Sequence, residues 1–318
     1  MCLVTTRPVD PGALRRGTLA ASVLDDIPLT PSADGVTVGR SWDDRDAWMP
    51  VSWQQLATAV GDVPPESLAG RLRLRDWLRA FTYLSHLADD AASRDAGAPP
   101  SRVVALALPV GHALHPGPEW VVESVLGGVL DVGLALRPSA EQLAAHPAAD
   151  RAVAASAGEP LAAPLPPGAA RAAGIDTRPW WRSVAGQRDD MAVLAGDRLD
   201  RDATGVLRPI GGCDVLTLLS GRWLRDHLAT TDGTGMRAIA APMRSRGWFD
   251  LARIDPAFVG AAAAATAPEL RGVVRPLLVT TDEVGLAAGN ASAEQLAREA
   301  LRDPARDPAG TDRDVLYR

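Results

Sequence analysis

Two histidines separated by two residues are the first candidates for chemistry. His112 and His115 directly follow an apolar run, RVVALALP, and Glu119 and Glu123 come shortly after them. Imidazole and carboxylate groups exchange protons near neutral pH and can also bind a divalent metal. Such a cluster could supply a general acid and base, with His112 and His115 in that role, or could bind a divalent metal; we assign no metal ligand. Hydrogen-bonded loop histidines are the alternative interpretation.

A cysteine beside two glycines is the second candidate. Gly211, Gly212 and Cys213 precede Asp214, which is suited to cap a following helix. The N-terminus of a helix lowers the pKa of a thiol and favours the reactive thiolate. Glycines also let a ligand approach the backbone closely. We therefore predict that Cys213 is catalytic and that Gly211 and Gly212 bind ligand, whereas a buried small hydrophobe is the alternative.

Two arginines form the third candidate. Arg244 and Arg246 flank Ser245, and paired guanidinium groups can bind phosphate or carboxylate through two hydrogen bonds each. The predicted strand VRPLLVTTDEV ends at Asp282, which would complete a polar pocket. A pair of solvated surface arginines is the alternative.

The start of the chain offers a separate hypothesis. Removal of Met1 would leave Cys2 with a free α-amine that could act as its base. This Met-Cys opening resembles that of the N-terminal-nucleophile amidotransferases, although Leu3 stands where that family has glycine. The resemblance implies a hydrolase that uses Cys2.

Composition excludes several mechanisms. The 33 basic residues are all arginine, so Schiff-base lysines, P-loop lysines and Ser-Lys dyads are ruled out. Asparagine occurs once, at Asn290, and there are only 3 Phe and 2 Tyr, so a bacterial genome of high GC content explains the bias. Any anion site must then use Arg, His or backbone N–H groups.

Charge and cysteine content limit the possible partners and compartment. A net charge of −6 argues against general nucleic-acid binding, which needs basic surface. The sequence contains neither a disulfide framework nor a secretory apolar segment, so we expect a soluble, cytoplasmic protein without a membrane partner. No cofactor is indicated.

The predicted elements place the three candidates together. Strands alternate with helices, which predicts an α/β or mixed α+β fold with a partly parallel sheet. The three loops, 110–118, 211–214 and 243–247, each follow a predicted strand and precede a predicted helix. Ligands gather where parallel strands end, so we expect one crevice that binds a small anion. One of these helices is predicted to begin at Glu119, with Glu123, Gly127 and Asp131 on one face.

The chain is predicted to divide into four parts. These are an N-terminal α/β region (1–137), an Ala/Pro-rich linker or loose connection (138–179), a C-terminal α/β region (180–288) and a helical, partly mobile tail (289–318). Ser292 and Gln295 would cap the tail helix. The nine tryptophans support a competing hypothesis, a non-catalytic protein that binds a partner or a second copy through a Trp-rich surface.

Overall fold

The computed structural model describes residues 9–39, 48–89, 100–138, 162–202, 204–231, 233–249 and 254–281. These residues form a mixed α/β fold, which confirms the predicted class. The helices are α1 (Pro11–Leu24), α2 (Trp53–Val60), α3 (Leu68–Asp89), α4 (Pro167–Ala172), α5 (Trp181–Arg201), α6 (Val215–Ser220), α7 (Arg222–Thr230) and α8 (Pro256–Ala265). The strands are β1 (Leu29–Pro31), β2 (Gly35–Val38), β3 (Met49–Ser52), β4 (Val103–Pro109), β5 (Glu123–Val125), β6 (Leu130–Leu136), β7 (Ala163–Pro164), β8 (Val206–Leu207), β9 (Met236–Met243), β10 (Arg246–Trp248) and β11 (Leu277–Thr280).

The strands form three separate sheets. Their orders are β1-β2-β3, β4-β6-β5 with β7 also on β6, and β11-β9-β10-β8. Every strand pair within the described residues is antiparallel. The predicted parallel component is therefore not found there, and parallel strand ends do not bring the candidate loops together.

The central sheet is built on the strand that the sequence marks most clearly. β4 pairs with β6 from Val103↔Leu136 to Pro109↔Leu130, and its residues up to Leu108 are all buried. A continuous apolar run is what a strand covered on both faces requires. Helices α5 and α6 pack against β4, and Thr217 of α6 accepts a hydrogen bond from the amide of Ala107 at 3.0 Å.

The prediction of a helix that begins at Glu119 is wrong. A short 3₁₀ turn (Pro118–Trp120) is followed by the hairpin of β5 and β6, and Ser124 faces Asp131 across it. The connecting residues Leu126, Gly127 and Gly128 have positive φ angles of 54°, 64° and 83°. An α-helix cannot include three such residues, because right-handed helical backbone has negative φ.

Two predicted helix starts are confirmed by their caps. The Ser52 hydroxyl and the Gln55 side chain form the predicted capping box at the start of α2. Asp255 accepts a hydrogen bond from the Ala257 amide at 3.0 Å, with Pro256 in the first turn of α8. The predicted helix after Asp214 also forms, but Gly221 divides it into α6 and α7.

Three apolar clusters form the interior. One joins α1, α2 and α3 to the first sheet and to α4. A second lies between the third sheet, α5, α6 and α7, and a third lies beside β4 and the His112 loop. The described part of the Ala/Pro-rich connection, 162–179, packs here through β7 and α4. None of the helices in the described ranges is both long and apolar enough to span a membrane.

Candidate functional site

The two histidines lie in two similar, consecutive turns after β4. The Nδ1 atom of His112 accepts a hydrogen bond from the amide of Leu114, and that of His115 accepts one from the amide of Gly117, each at 3.1 Å. The Nε2 atom of each ring therefore carries the proton of the neutral form. The H-x-x-H spacing thus produces two similar local turns.

The Nε2 atoms of the two rings reach different partners. His112 donates to the carbonyl of Arg271 at 3.0 Å, and His115 donates to Oδ2 of Asp131 at 3.0 Å. Oδ1 of Asp131 accepts a hydrogen bond from the Ser124 hydroxyl at 2.5 Å. Both nitrogens of both rings are consequently engaged within the protein.

Burial keeps both histidines neutral. Loss of solvation is the main cause, and the nearby positive charge of Arg244 the second, of a pKa for His112 that is lowered to about 3. Burial also lowers the pKa of His115, although Asp131 opposes the shift. Each residue is 8% exposed.

Arg244 and Asp214 form a buried ion pair. Nε of Arg244 lies 2.6 Å from Oδ2 of Asp214, and both side chains are 2% exposed. The remaining guanidinium nitrogens donate to the carbonyls of Glu269 (3.1 Å) and Ala162 (2.8 Å). Oδ1 of Asp214 accepts from the amide and hydroxyl of Thr217, as the predicted helix cap requires.

The Gly-Gly-Cys segment is a tight hairpin turn. Ile210 and Cys213 exchange two backbone hydrogen bonds, and Gly211 and Gly212 have φ angles of 59° and 84°. This two-residue turn with positive φ at both central positions favours glycine strongly. A Cβ at Gly212 would lie 2.6 Å from Cδ of Arg137, so the chain's own arginine fills the space above it. Cys213 is 1% exposed.

Hydrogen bonds to backbone groups bring the three loops together. His112 bonds to the Arg271 carbonyl, and the amide of Arg244 bonds to the neighbouring Leu270 carbonyl at 2.8 Å. The Arg244 carbonyl in turn accepts from the amide of Val215 at 2.9 Å. The loops therefore meet at one polar centre, which we define as His112, Asp214, Thr217, Arg244 and Arg271.

Other predicted site residues lie away from this centre. Arg246 is exposed on β10. Segment 243–247 is a hairpin turn between β9 and β10, so the helix predicted to follow it does not form there. His115 faces the β5–β6 hairpin. Asp282 and Cys2 lie outside the described residues.

Sequence reasoning missed three residues that complete these contacts. Asp131 was placed on a helix that does not form, and Arg271 contributes mainly its backbone carbonyl. Thr217 had a usable signal, since Asp214 lies three residues before it, at cap spacing. Over the part of the chain that is described, no group of three His, Cys, Asp or Glu side chains could hold a metal ion.

The chain was compared with protein-family models, with curated proteins and with solved structures. It matches none of them.

The polar centre is closed by internal bonds. Arg244 uses its three nitrogens on three acceptors, and neither imidazole retains a free nitrogen. In this arrangement the groups stabilise one another and join distant segments of chain. Arg244 is only 1% exposed, so an anion could reach its guanidinium only if the surrounding residues moved apart.

Half of the eight described tryptophans are buried. The buried ones are Trp77, Trp120, Trp180 and Trp248. Trp223 is 41% exposed, and its ring stacks on His227 with 4.9 Å between centroids.

Helix α8 presents an unusual surface. Its ten residues, PAFVGAAAAA, include no polar side chain, and only Val259 and Ala263 are buried. We call the opposite side the α8 face, formed by the exposed residues Ala257, Phe258, Ala261, Ala264 and Ala265. A helix that is apolar all round is usually buried on all sides, so this face is typical of a surface that packs against another element.

Proposed function

We propose that this protein acts by binding a partner protein, with the α8 face as its contact surface, and that it is not an enzyme at the predicted loops. The observation that carries the proposal is the wholly apolar α8, which buries two of its ten residues. Phe258 is 38% exposed and supplies the aromatic group that protein interfaces favour at their centre. The bonds that occupy the polar centre support the non-catalytic part of the proposal.

The partner chemistry follows from the shape of this face. Its side chains are mostly methyl groups, so another helix can approach the backbone closely around Phe258. We infer a partner that offers an apolar helical stripe, as in recognition of an amphipathic helix by an apolar surface. A charged partner surface would lose solvation here without finding an opposite charge.

Site-specific photo-crosslinking in the cells that naturally carry the chain tests this proposal. A benzophenone amino acid at Ala261 should form a discrete heavier adduct with another protein. The same group at Leu194, which is 45% exposed on α5, is the matched control and should not form it. Phe258→Asp should abolish the adduct. Identical adducts from both positions, or none from Ala261, would contradict the proposal.

Anion binding at a different place is the second candidate function. Leu207 pairs with Gly247, so the exposed Arg208 and Arg246 lie next to each other across β8 and β10. Like charges facing each other across strands are destabilising, and a bound anion would relieve that repulsion. Among the described residues, no carboxylate forms an ion pair with Arg246.

Thermal unfolding with inorganic phosphate at constant ionic strength tests this candidate. Phosphate should raise the Tm of the natural protein, because a ligand that binds only the folded state stabilises it. The rise should disappear in Arg246→Met and persist in Arg201→Met, which removes an exposed arginine from α5. An equal response in all three proteins would exclude a site at Arg246. The Cys2 hydrolase hypothesis remains a prediction.

A further inference from the structure

Trp223 is an aromatic side chain held at the protein surface in one orientation. Its ring stacks on His227, one turn later in α7, with 4.9 Å between centroids and 7° between the ring planes. Nε2 of His227 lies 3.0 Å from Oδ1 of Asp200 on α5, which fixes the imidazole. A Cβ at Gly196 of α5 would lie 2.4 Å from Cζ3 of Trp223, so glycine is what lets the indole approach α5 this closely. The ring is therefore preorganised, although the residue is 41% exposed.

The free face of this ring points toward the start of α7. His227 follows Trp223 in the helix and covers the ring face on its own side. The start of α7 packs against Asp189 of α5, whose Oδ1 would lie 3.8 Å from a Cβ at Gly221. Asp189 therefore lies on the same side as the free face of the indole.

Negative charge predominates on that side. Oδ1 of Asp189 accepts a hydrogen bond from Nε of Arg188 at 2.9 Å, and its carboxylate is about half exposed. Arg188 also donates to Glu123 at 2.8 Å, so one buried cation serves two carboxylates and the group keeps a net negative charge. Arg222, exposed at the start of α7, lies 3.5 Å from Oδ2 of Asp226, which offsets its charge.

A further carboxylate extends the acidic surface along α5. Asp197 directly follows Gly196, is exposed, and forms no ion pair with any residue that the structure describes. The exposed Arg198 and Arg201 lie two and five residues after Gly196, spacings that place them on another side of the helix. The open indole face is thus bordered by carboxylates whose charge is not cancelled.

We propose that this area binds an arginine side chain from a basic segment of another protein. We call it the Trp223 surface, formed by Trp223, Asp189 and Asp197. A guanidinium stacks flat on an indole, whose face attracts cations. It can at the same time donate to Oδ2 of Asp189, which has no hydrogen-bond partner among the described residues. Charge complementarity and a fixed aromatic face therefore favour the same ligand group.

The separation of the two carboxylates favours a chain over a small cation. Asp197 follows Asp189 by eight residues of α5, which is about 12 Å along the helix. Two basic residues four positions apart in an extended segment are separated by about 13 Å and can reach both. A free quaternary ammonium is typically enclosed by several aromatic rings, whereas one ring face is open here. The Trp223 surface shares no residue with the α8 face, so this binding goes beyond the proposed function.

Fluorescence anisotropy with a synthetic probe tests the proposal on the full-length protein at low ionic strength. The probe is a fluorescein-labelled peptide of glycine and serine that carries two arginines four positions apart. In the comparison peptide both arginines are citrulline, which keeps the shape and the donors but has no charge. The arginine peptide should bind at least about tenfold more tightly, because both charged contacts depend on the cation.

Matched variants separate the Trp223 surface from general attraction to an acidic protein. Trp223→Leu should weaken binding about fivefold, and Trp223→Phe should keep part of the affinity because it retains a ring. Asp189→Asn should weaken binding about threefold, whereas Asp34→Asn, the same charge change in the turn between β1 and β2, should change it by less than about 1.5-fold. Circular dichroism verifies the fold of each variant, and if Trp223→Leu does not fold, Trp223→Phe and Asp189→Asn decide.

Three outcomes would overturn the proposal. They are equal binding of the arginine and citrulline peptides, equal weakening by Asp189→Asn and Asp34→Asn, and binding of tetramethylammonium without binding of the arginine peptide. Phe258→Asp on the α8 face should leave peptide binding unchanged. The photo-adduct at Ala261 and the peptide affinity therefore report on the two surfaces separately.

Discussion

Replacing Arg244 by methionine should destabilise the protein by about 4 kcal/mol, since removing one partner of a buried ion pair typically costs about 3–5 kcal/mol. The substitution leaves Asp214 buried without its counter-charge and removes the donors to the Glu269 and Ala162 carbonyls. We place the value mid-range because Thr217 continues to donate twice to Oδ1 of Asp214. At about 2 °C per kcal/mol for a chain of this size, the Tm should fall by about 8 °C.

Urea unfolding followed by tryptophan fluorescence and far-UV circular dichroism measures this loss, and coincident transitions justify a two-state analysis. Arg246→Met is the matched control, because that arginine is exposed, and should change the free energy of unfolding by at most about 0.5 kcal/mol. Asp214→Asn keeps a capping oxygen but removes the charge. The double variant Asp214→Asn/Arg244→Met should therefore cost about 2 kcal/mol less than the sum of the single variants. Additive losses, or an Arg244→Met loss below about 1 kcal/mol, would refute the role of this pair.

Three further measurements test other parts of the polar centre. The depressed pKa of His112, about 3 in the folded state against about 6.5 when unfolded, means that the unfolded state binds the extra proton between these values. The contribution of neutral His112 to the free energy of unfolding should be fully present above about pH 7 and should fall by up to about 1.4 kcal/mol per pH unit below it. In His112→Gln, the urea midpoint should therefore depend less steeply on pH over this range. In a Cys2→Ser background, Cys213 should resist a thiol reagent in native buffer and react on unfolding, whereas rapid native labelling would support a reactive thiol. Gly212→Ala should destabilise more than Gly111→Ala, because both glycines have positive φ but only at Gly212 does a Cβ meet a side chain; equal losses would show that backbone strain alone matters.

Local signals in the sequence were sufficient for several elements. The apolar run before His112 predicted β4, and Asp214 and Asp255 were both found as helix caps. These signals act within one turn of helix or along one strand, so they can be read directly. The hairpin after Glu119 was missed because its two glycines interrupt an apolar pattern that fits either period.

The direction of the Arg244 side chain could not be predicted from its neighbours. The sequence Arg-Ser-Arg suggested that Arg244 and Arg246 would act together, yet one is buried and the other is exposed. The acceptors that hold Arg244 lie 25 residues away at Glu269 and 82 residues away at Ala162. Such partners depend on how sheets and helices pack, and no local spacing reveals them.

Arginine supplies the buried cations of this lysine-free chain. Arg188, Arg225 and Arg244 are all buried, and each donates to carboxylates or backbone carbonyls. A planar guanidinium keeps its charge when buried and can bond to acceptors from several segments, whereas a buried ammonium tends to lose its proton. Buried arginines can therefore form the internal ion pairs and hydrogen bonds of this fold without any lysine. The same chemistry that made Arg244 an attractive anion ligand in the sequence makes it effective as an internal connector, because both roles need several donors in fixed directions.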